Sequence, residues 1–167
     1  MGTVHSFPPV ASADATVLIL GSMPGKASLA ANQYYAHPHN LFWPIVHQVF
    51  GAELPDSYEK RLDLLQSRGI ALWDVMKECD RHSSLDGDIV ETSIVPNDFA
   101  AFFAGHRQIR HVFFNGAKAE QAFKRYVLPG LVCSAEMQWI KLPSTSPANA
   151  SIPLGKKLES WQRIKLA

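Results

Sequence analysis

Cysteine is scarce in this chain: Cys79 and Cys133 are its two copies, far apart and without Cys-x-x-Cys spacing. Neither a disulfide framework nor a cysteine zinc site follows, and a reducing compartment fits. Long apolar runs are also missing, so nothing approaches the length of a membrane span. The start, Met1-Gly2-Thr3-Val4-His5-Ser6-Phe7-Pro8-Pro9, lacks the charged opening and apolar core of a signal peptide. The expectation is a soluble, cytoplasmic protein. No internal repeat, linker or low-complexity segment interrupts the 167 residues, which read as one domain, 1–167. A net charge of +1 argues for no partner by itself, but its distribution is uneven. Residues 53–98 hold eleven acidic against five basic side chains, and residues 99–167 hold three against ten. A basic C-terminal part suits phosphates, although a charge run is often only a solvated face.

What the chain does contain is 47% hydrophobic residues, enough for a sizeable core. Ala15-Thr16-Val17-Leu18-Ile19-Leu20 is a short, branched, apolar run, the pattern of a strand covered on both faces. Ile70 to Val75, His111 to Asn115 and Trp139 to Leu142 repeat the pattern. Between them lie helical periodicities. One is capped by Asn40 and runs through Leu41-Phe42-Trp43-Pro44-Ile45-Val46. Another opens at Ser57 and ends at Gly69, a third begins near Asn97, and a fourth follows Gly116. A last helix carries Leu154, Leu158, Trp161 and Ile164, and Lys77 to Asp88 reads as polar loop. Alternating strands and helices predict a three-layer α/β/α fold around a central four-stranded parallel sheet. In such sheets ligands bind beyond the carboxyl ends of the strands, here Gly21, Asp74, Asn115 and Ser144.

Three superficial motifs do not hold. Gly21 to Lys26 is no P-loop, since only three residues separate its glycines and no Ser or Thr follows the lysine. Gly21-Ser22-Met23-Pro24-Gly25 is no nucleophile elbow, because its serine comes one place early. Among the seven histidines only His37-Pro38-His39 is close-spaced, and the intervening proline sets those side chains apart, so no metal is expected.

The informative stretch is the connection from Gly21 to Asn40. It is long for a compact domain and rich in hydrogen-bonding and aromatic groups, a mixture suited to something flat and polar. Gly21-Ser22-Met23-Pro24-Gly25, then Tyr34-Tyr35-Ala36-His37-Pro38-His39-Asn40-Leu41-Phe42-Trp43, then Leu142-Pro143-Ser144-Thr145-Ser146-Pro147-Ala148-Asn149-Ala150 occur in that order. Together they resemble the signature blocks of the uracil-DNA glycosylase superfamily, most closely its hypoxanthine-DNA (deoxyinosine) glycosylase branch. Mismatch-specific uracil/thymine glycosylases are near relatives.

The resemblance implies a monofunctional DNA glycosylase that hydrolyses the N-glycosidic bond of a flipped-out deaminated base, hypoxanthine first. It implies DNA as partner, a monomer, and no metal or other cofactor. Two alternatives stand beside it: a mismatch-type uracil/thymine glycosylase, and a non-catalytic nucleic-acid-binding module. Many branches place their water-positioning Asn or Asp just after the first glycine, where this chain has Ser22; Asn40 is then the implied water-positioning residue, and Ser22, at the motif position, is counted with it as catalytic. Asparagine is no useful base, so it would orient a water while its carbonyl dipole favours positive charge on the sugar. As plain sequence, Asn40 reads first as a helix cap, a role that alone would explain it; the resemblance is what points to catalysis. Lys26 offers a Schiff base in principle, but the superfamily pattern favours water.

Tyr35 matches an aromatic that stacks on the extruded base, or is simply core. Asp74 matches the position that reads the base edge; ionised, it would accept from a base N–H, hypoxanthine N1–H for example. Its alternative is an ion pair with Arg81. Gly21, Met23, Phe42 and Asn115 are implied beside the base, although Asn115-Gly116 equally suits a tight turn. Gly25 and the loop Ser144, Thr145, Ser146, Pro147, Ala148 and Asn149 are implied at the DNA backbone, with hydroxyls and backbone amides for phosphates.

Overall fold

The computed structural model describes residues 2–132 and 136–167, so Cys133 lies outside it; Cys79 is a buried free thiol. In chain order the strands are β1 (Thr3–His5), β2 (Val17–Gly21), β3 (Ile70–Asp74), β4 (Met76–Asp80), β5 (Val95–Pro96), β6 (His111–Asn115) and β7 (Gln138–Leu142). The helices are α1 (Lys26–Ala31), α2 (Phe42–Val49), α3 (Tyr58–Ser67), α4 (Phe99–Gly105), α5 (Ala117–Tyr126), α6 (Leu154–Trp161) and α7 (Arg163–Leu166). The central sheet has the order β3-β2-β6-β7 with every pairing parallel.

Side-chain alternation along these strands divides the core into two layers. Leu18, Leu20, Ala71, Trp73, Val112 and Phe114 pack with Phe99 and Phe102 of α4 and with Ala119, Ala122 and Phe123 of α5. Val17, Ile19, Ile70, Leu72 and Phe113 face the opposite way, onto α2, Leu65 of α3, and Trp161 and Ile164 of α6 and α7. With both faces covered, β2 and β3 are buried at every position, which is why they read as continuous apolar runs. Chain neighbours β2 and β3 pair on one side of β2, and β6 pairs on the other, so the order reverses between β2 and β6. That reversal opens a crevice at the carboxyl ends of these two strands.

Four details differ from the sequence reading. Lys77 to Asp80 are not loop: with Met76 they form β4, which pairs antiparallel with β1 and β5 in a second, three-stranded sheet. Its exposed alternate positions lack the apolar pattern that marks the central strands. The connection after Gly21 contains α1, whose Ala-rich sequence favours helix without an obvious apolar face. The terminal helix breaks at Gln162 into α6 and α7, and Leu154 at its start is 48% exposed. The last central strand starts at Gln138, one residue before the expected Trp139, and Ser144 lies two residues past its end at Leu142.

Candidate active site

A cleft of about 1520 Å³ opens at the carboxyl ends of the central strands. It exceeds the usual small-ligand pocket. Its wall includes Gly21, Ser22, Met23, Gly25, Tyr35, Asn40, Asp74, Asn115 and the loop from Ser144 to Asn149. Phe42 is the exception among the expected residues. It is fully buried and stacks under the Tyr35 ring, centroids 4.1 Å apart and planes 20° from parallel, so it supports the cleft wall from behind.

The segment bearing Tyr35 is held firmly. Tyr34 is the core residue of the pair: its hydroxyl donates to Pro8 O at 2.9 Å and its carbonyl accepts from Trp43 Nε1 at 3.0 Å. Ala36 N donates to Ser28 Oγ at 3.1 Å. Tyr35 between them takes the left-handed conformation, φ +55°, an arrangement that costs a non-glycine residue energy.

The Asp74 carboxyl is buried at the end of β3, and its Oδ2 has no hydrogen bond among the described residues. The Tyr35 hydroxyl is buried as well, with no hydrogen bond of ordinary geometry among the described residues. Both groups approach Gly21: a Cβ there would lie 2.6 Å from Asp74 Oδ1 and 3.0 Å from the Tyr35 hydroxyl. Glycine is what permits this convergence. Burial pushes the Asp74 pKa up to about 7, the Asp86 charge adds to the rise, and the Arg81 cation opposes it. At neutral pH the carboxyl is therefore divided between its neutral and ionised forms. Burial and the Asp74 charge likewise raise the Tyr35 pKa, which keeps that hydroxyl a donor.

The alternative of an Asp74–Arg81 ion pair is not realised among the described residues. Arg81 is buried and donates through Nη2 to Pro24 O at 2.5 Å, fixing the glycine-rich turn. Asn40 Oδ1 accepts from Phe42 N at 2.9 Å, one residue short of a standard cap because α2 starts at Phe42 with Leu41 before it. This bond uses one lone pair of the amide oxygen and fixes the side chain of a residue that lines the cleft.

Asn115 is tied to the neighbouring loop. Its Oδ1 accepts from Thr145 N at 2.9 Å and its Nδ2 donates to Thr145 Oγ1 at 3.0 Å, leaving one N–H. Thr145 is fully buried, and its carbonyl accepts from Leu41 N at 3.0 Å, joining this loop to the start of α2. Gly116 follows with φ +98°, and a Cβ there would meet Ser144 Cβ at 3.0 Å. The loop is folded by its own serines: Ser144 Oγ accepts from Ser146 N at 3.1 Å and Ser146 Oγ from Ala148 N at 3.2 Å. Both hydroxyls keep their O–H to donate.

Two contributors have no local signal in the sequence. Asp86 accepts from Ser22 Oγ at 2.7 Å across 64 residues, out of a stretch that reads only as polar. Lys157 is buried and donates through Nζ to Asn149 O at 2.7 Å, steadying the loop from α6. The described residues contain no group of three or more His, Cys, Asp or Glu suited to a metal ion, and no helix long and apolar enough to cross a membrane.

Comparison with known proteins agrees with this geometry. Residues 8–165 match the uracil DNA glycosylase superfamily. A hypoxanthine DNA glycosylase of Methanosarcina acetivorans is 35% identical over 161 residues, 96% of each chain. One from Methanosarcina barkeri is 38% identical over 116 residues, 69% of this chain and 72% of that one. The solution NMR structure of a candidate uracil DNA glycosylase from M. acetivorans superposes with a TM-score of 0.79 at 32% identity, covering 98% of this chain and 99% of the other. The similarity extends through every strand that ends at the cleft, and the chain belongs to the uracil DNA glycosylase superfamily as a DNA N-glycosylase.

Proposed function

We propose that this protein, acting as a single-domain monomer, removes hypoxanthine from DNA by hydrolysing its N-glycosidic bond and leaving an abasic site. Most of the support lies in one observation: a buried Asp74 carboxyl at the end of β3 with one oxygen unpartnered among the described residues. In its neutral form a carboxyl offers an O–H donor beside a C=O acceptor, complementary to O6 and N1–H of hypoxanthine. When ionised it offers acceptors only, which suit N1–H and repel O6. The Tyr35 ring, backed by Phe42, gives the extruded purine a flat surface to stack on.

Asn40 holds the attacking water through the free lone pair of its amide oxygen, while the Phe42 N–H bond prevents that side chain from turning away. The C1′–N9 bond breaks ahead of attack, its electron pair leaving with the base, and the water then adds to an oxocarbenium-like C1′. The Ser144 and Ser146 hydroxyls donate to phosphates flanking the flipped nucleotide, with Lys156 nearby on the cleft wall. The test is a panel of otherwise identical duplexes carrying hypoxanthine, uracil, xanthine or thymine, incubated without added metal. Abasic product forming fastest from hypoxanthine is expected. Fastest release of uracil or thymine from mismatches would favour the mismatch-type reading, and binding without product the non-catalytic one.

A further inference from the structure

We infer that Asp86 is the catalytic carboxylate of this site, held by Ser22 so that its charge stabilises the cationic sugar and its free oxygen takes the proton of the attacking water. The inference rests on the glycosylase reading above. That reading leaves the reaction short of one component, because Asn40 is neutral and Asp74 is occupied with the base.

Several carboxylates line the cleft, but their engagements differ. Asp88 accepts from Ser83 Oγ at 2.6 Å, and Glu91 is bonded to Lys118 and Tyr126. Among the described residues, Asp86 is the one hydrogen-bonded to the turn that leaves β2, through Ser22 Oγ at 2.7 Å. Only its Oδ1 is used there. Its charge is felt deeper in the same cleft, since it helps to raise the Asp74 pKa.

The placement of Asp86 is built in. It opens a short 3-10 turn, Asp86–Asp88, whose carbonyl accepts from Ile89 N at 3.2 Å, and Ile89 is anchored in the core. Before it, Ser84 Oγ accepts from Lys26 N at 2.9 Å, tying the segment to the start of α1. After it, Val90 N donates to Asp80 O at 2.9 Å. Duplex DNA covering the cleft would exclude water from this carboxylate and strengthen its field at the sugar.

The step balances without another reactant. The base departs with the C1′–N9 electron pair, the water oxygen bonds to C1′, and the water proton passes to Asp86 and finally to the departed base. Asp86→Asn isolates the charge, because the amide oxygen still accepts from Ser22. Its single-turnover hypoxanthine excision should fall about a hundredfold or more, with the melting temperature little changed.

The second readout compares DNA carrying a cationic pyrrolidine abasic analogue with DNA carrying neutral tetrahydrofuran. Wild type should prefer the cation by about tenfold or more, and Asp86→Asn should lose that preference while binding tetrahydrofuran DNA as before. Ser22→Ala, which frees the carboxylate without neutralising it, should weaken the preference part-way. A wild-type rate or an intact cation preference in Asp86→Asn overturns the inference, as does an unchanged preference in Ser22→Ala should the first variant not fold. Absence of excision by wild type would instead bring down the glycosylase reading itself.

Discussion

Gly21 and Asp74 are adjacent across the β2–β3 pairing, and a Cβ on Gly21 would stand 2.6 Å from Asp74 Oδ1. The carboxyl belongs to a short buried side chain, and the same Cβ would stand 3.0 Å from the Tyr35 hydroxyl. Gly21→Ala should displace Asp74, destabilise the fold by about 1–3 kcal/mol and reduce hypoxanthine excision more than tenfold. Denaturant melts and single-turnover rates check both effects; wild-type values would show that this close approach carries no function.

Asp74 itself makes a pH-dependent prediction. Its folded pKa of about 7 exceeds the ordinary value of 3.8, so the folded state holds the proton more tightly than the unfolded chain. The stability present below about pH 4 is therefore lost as pH rises through 7, by up to about 4 kcal/mol. Asp74→Asn removes this loss and should be the more stable protein at pH 8. Its amide presents the same donor and acceptor as the neutral acid, so hypoxanthine excision, falling above pH 7 in wild type, should become flat between pH 6 and 8. Melting curves and rate profiles of both proteins decide it. If the substitution instead lowers hypoxanthine excision and raises uracil excision at pH 7, the ionised form reads the base.

The central sheet was legible because β2, β3 and β6 are largely buried and so read as apolar runs, two of them ending in the polar residues Asp74 and Asn115. The strand-end rule then located Gly21, Asp74 and Asn115 at the cleft, and the signature blocks located Tyr35, Asn40 and the serine loop. Less legible was what depends on distant partners. Asn115 looks like a turn or a base contact, and its engagement with Thr145 appears only once β6 and the loop after β7 are adjacent. Phe42 and Tyr35 are both aromatic, and only packing tells which lines the cleft. Ser22 looks like the loss of a functional group until Asp86 is found beside it.

DNA binding should carry the signature of phosphate contacts. Affinity for abasic duplex should fall steeply with salt, and Lys156→Ala should weaken binding to every sequence alike while reducing the log–log salt slope by about one. Ser146→Ala removes a hydroxyl donor and a turn acceptor together, and should weaken affinity for all substrates without changing the order of base preference. Fluorescence anisotropy across a salt series measures these quantities, and salt-insensitive affinity would contradict a phosphate-facing loop.

Lys157 offers a test of the loop's support. Lys157→Met keeps the buried stem and removes the bond to Asn149 O, so abasic-DNA affinity should drop about threefold to tenfold while the core remains folded. Affinity equal to wild type would mean that the loop is held by its serine turns alone.

The most direct measurement is single-turnover excision of hypoxanthine by wild type and Asn40→Ala, with melting temperature and abasic-DNA affinity recorded on the same preparations. Losing the bond to Phe42 N should cost about 1 kcal/mol of stability, whereas losing the water's anchor should slow excision by about a hundredfold or more with DNA binding nearly intact. Excision that persists near the wild-type rate, or that falls only in step with loss of folded protein, would contradict the role of Asn40 in orienting the water and leave it as the support of α2.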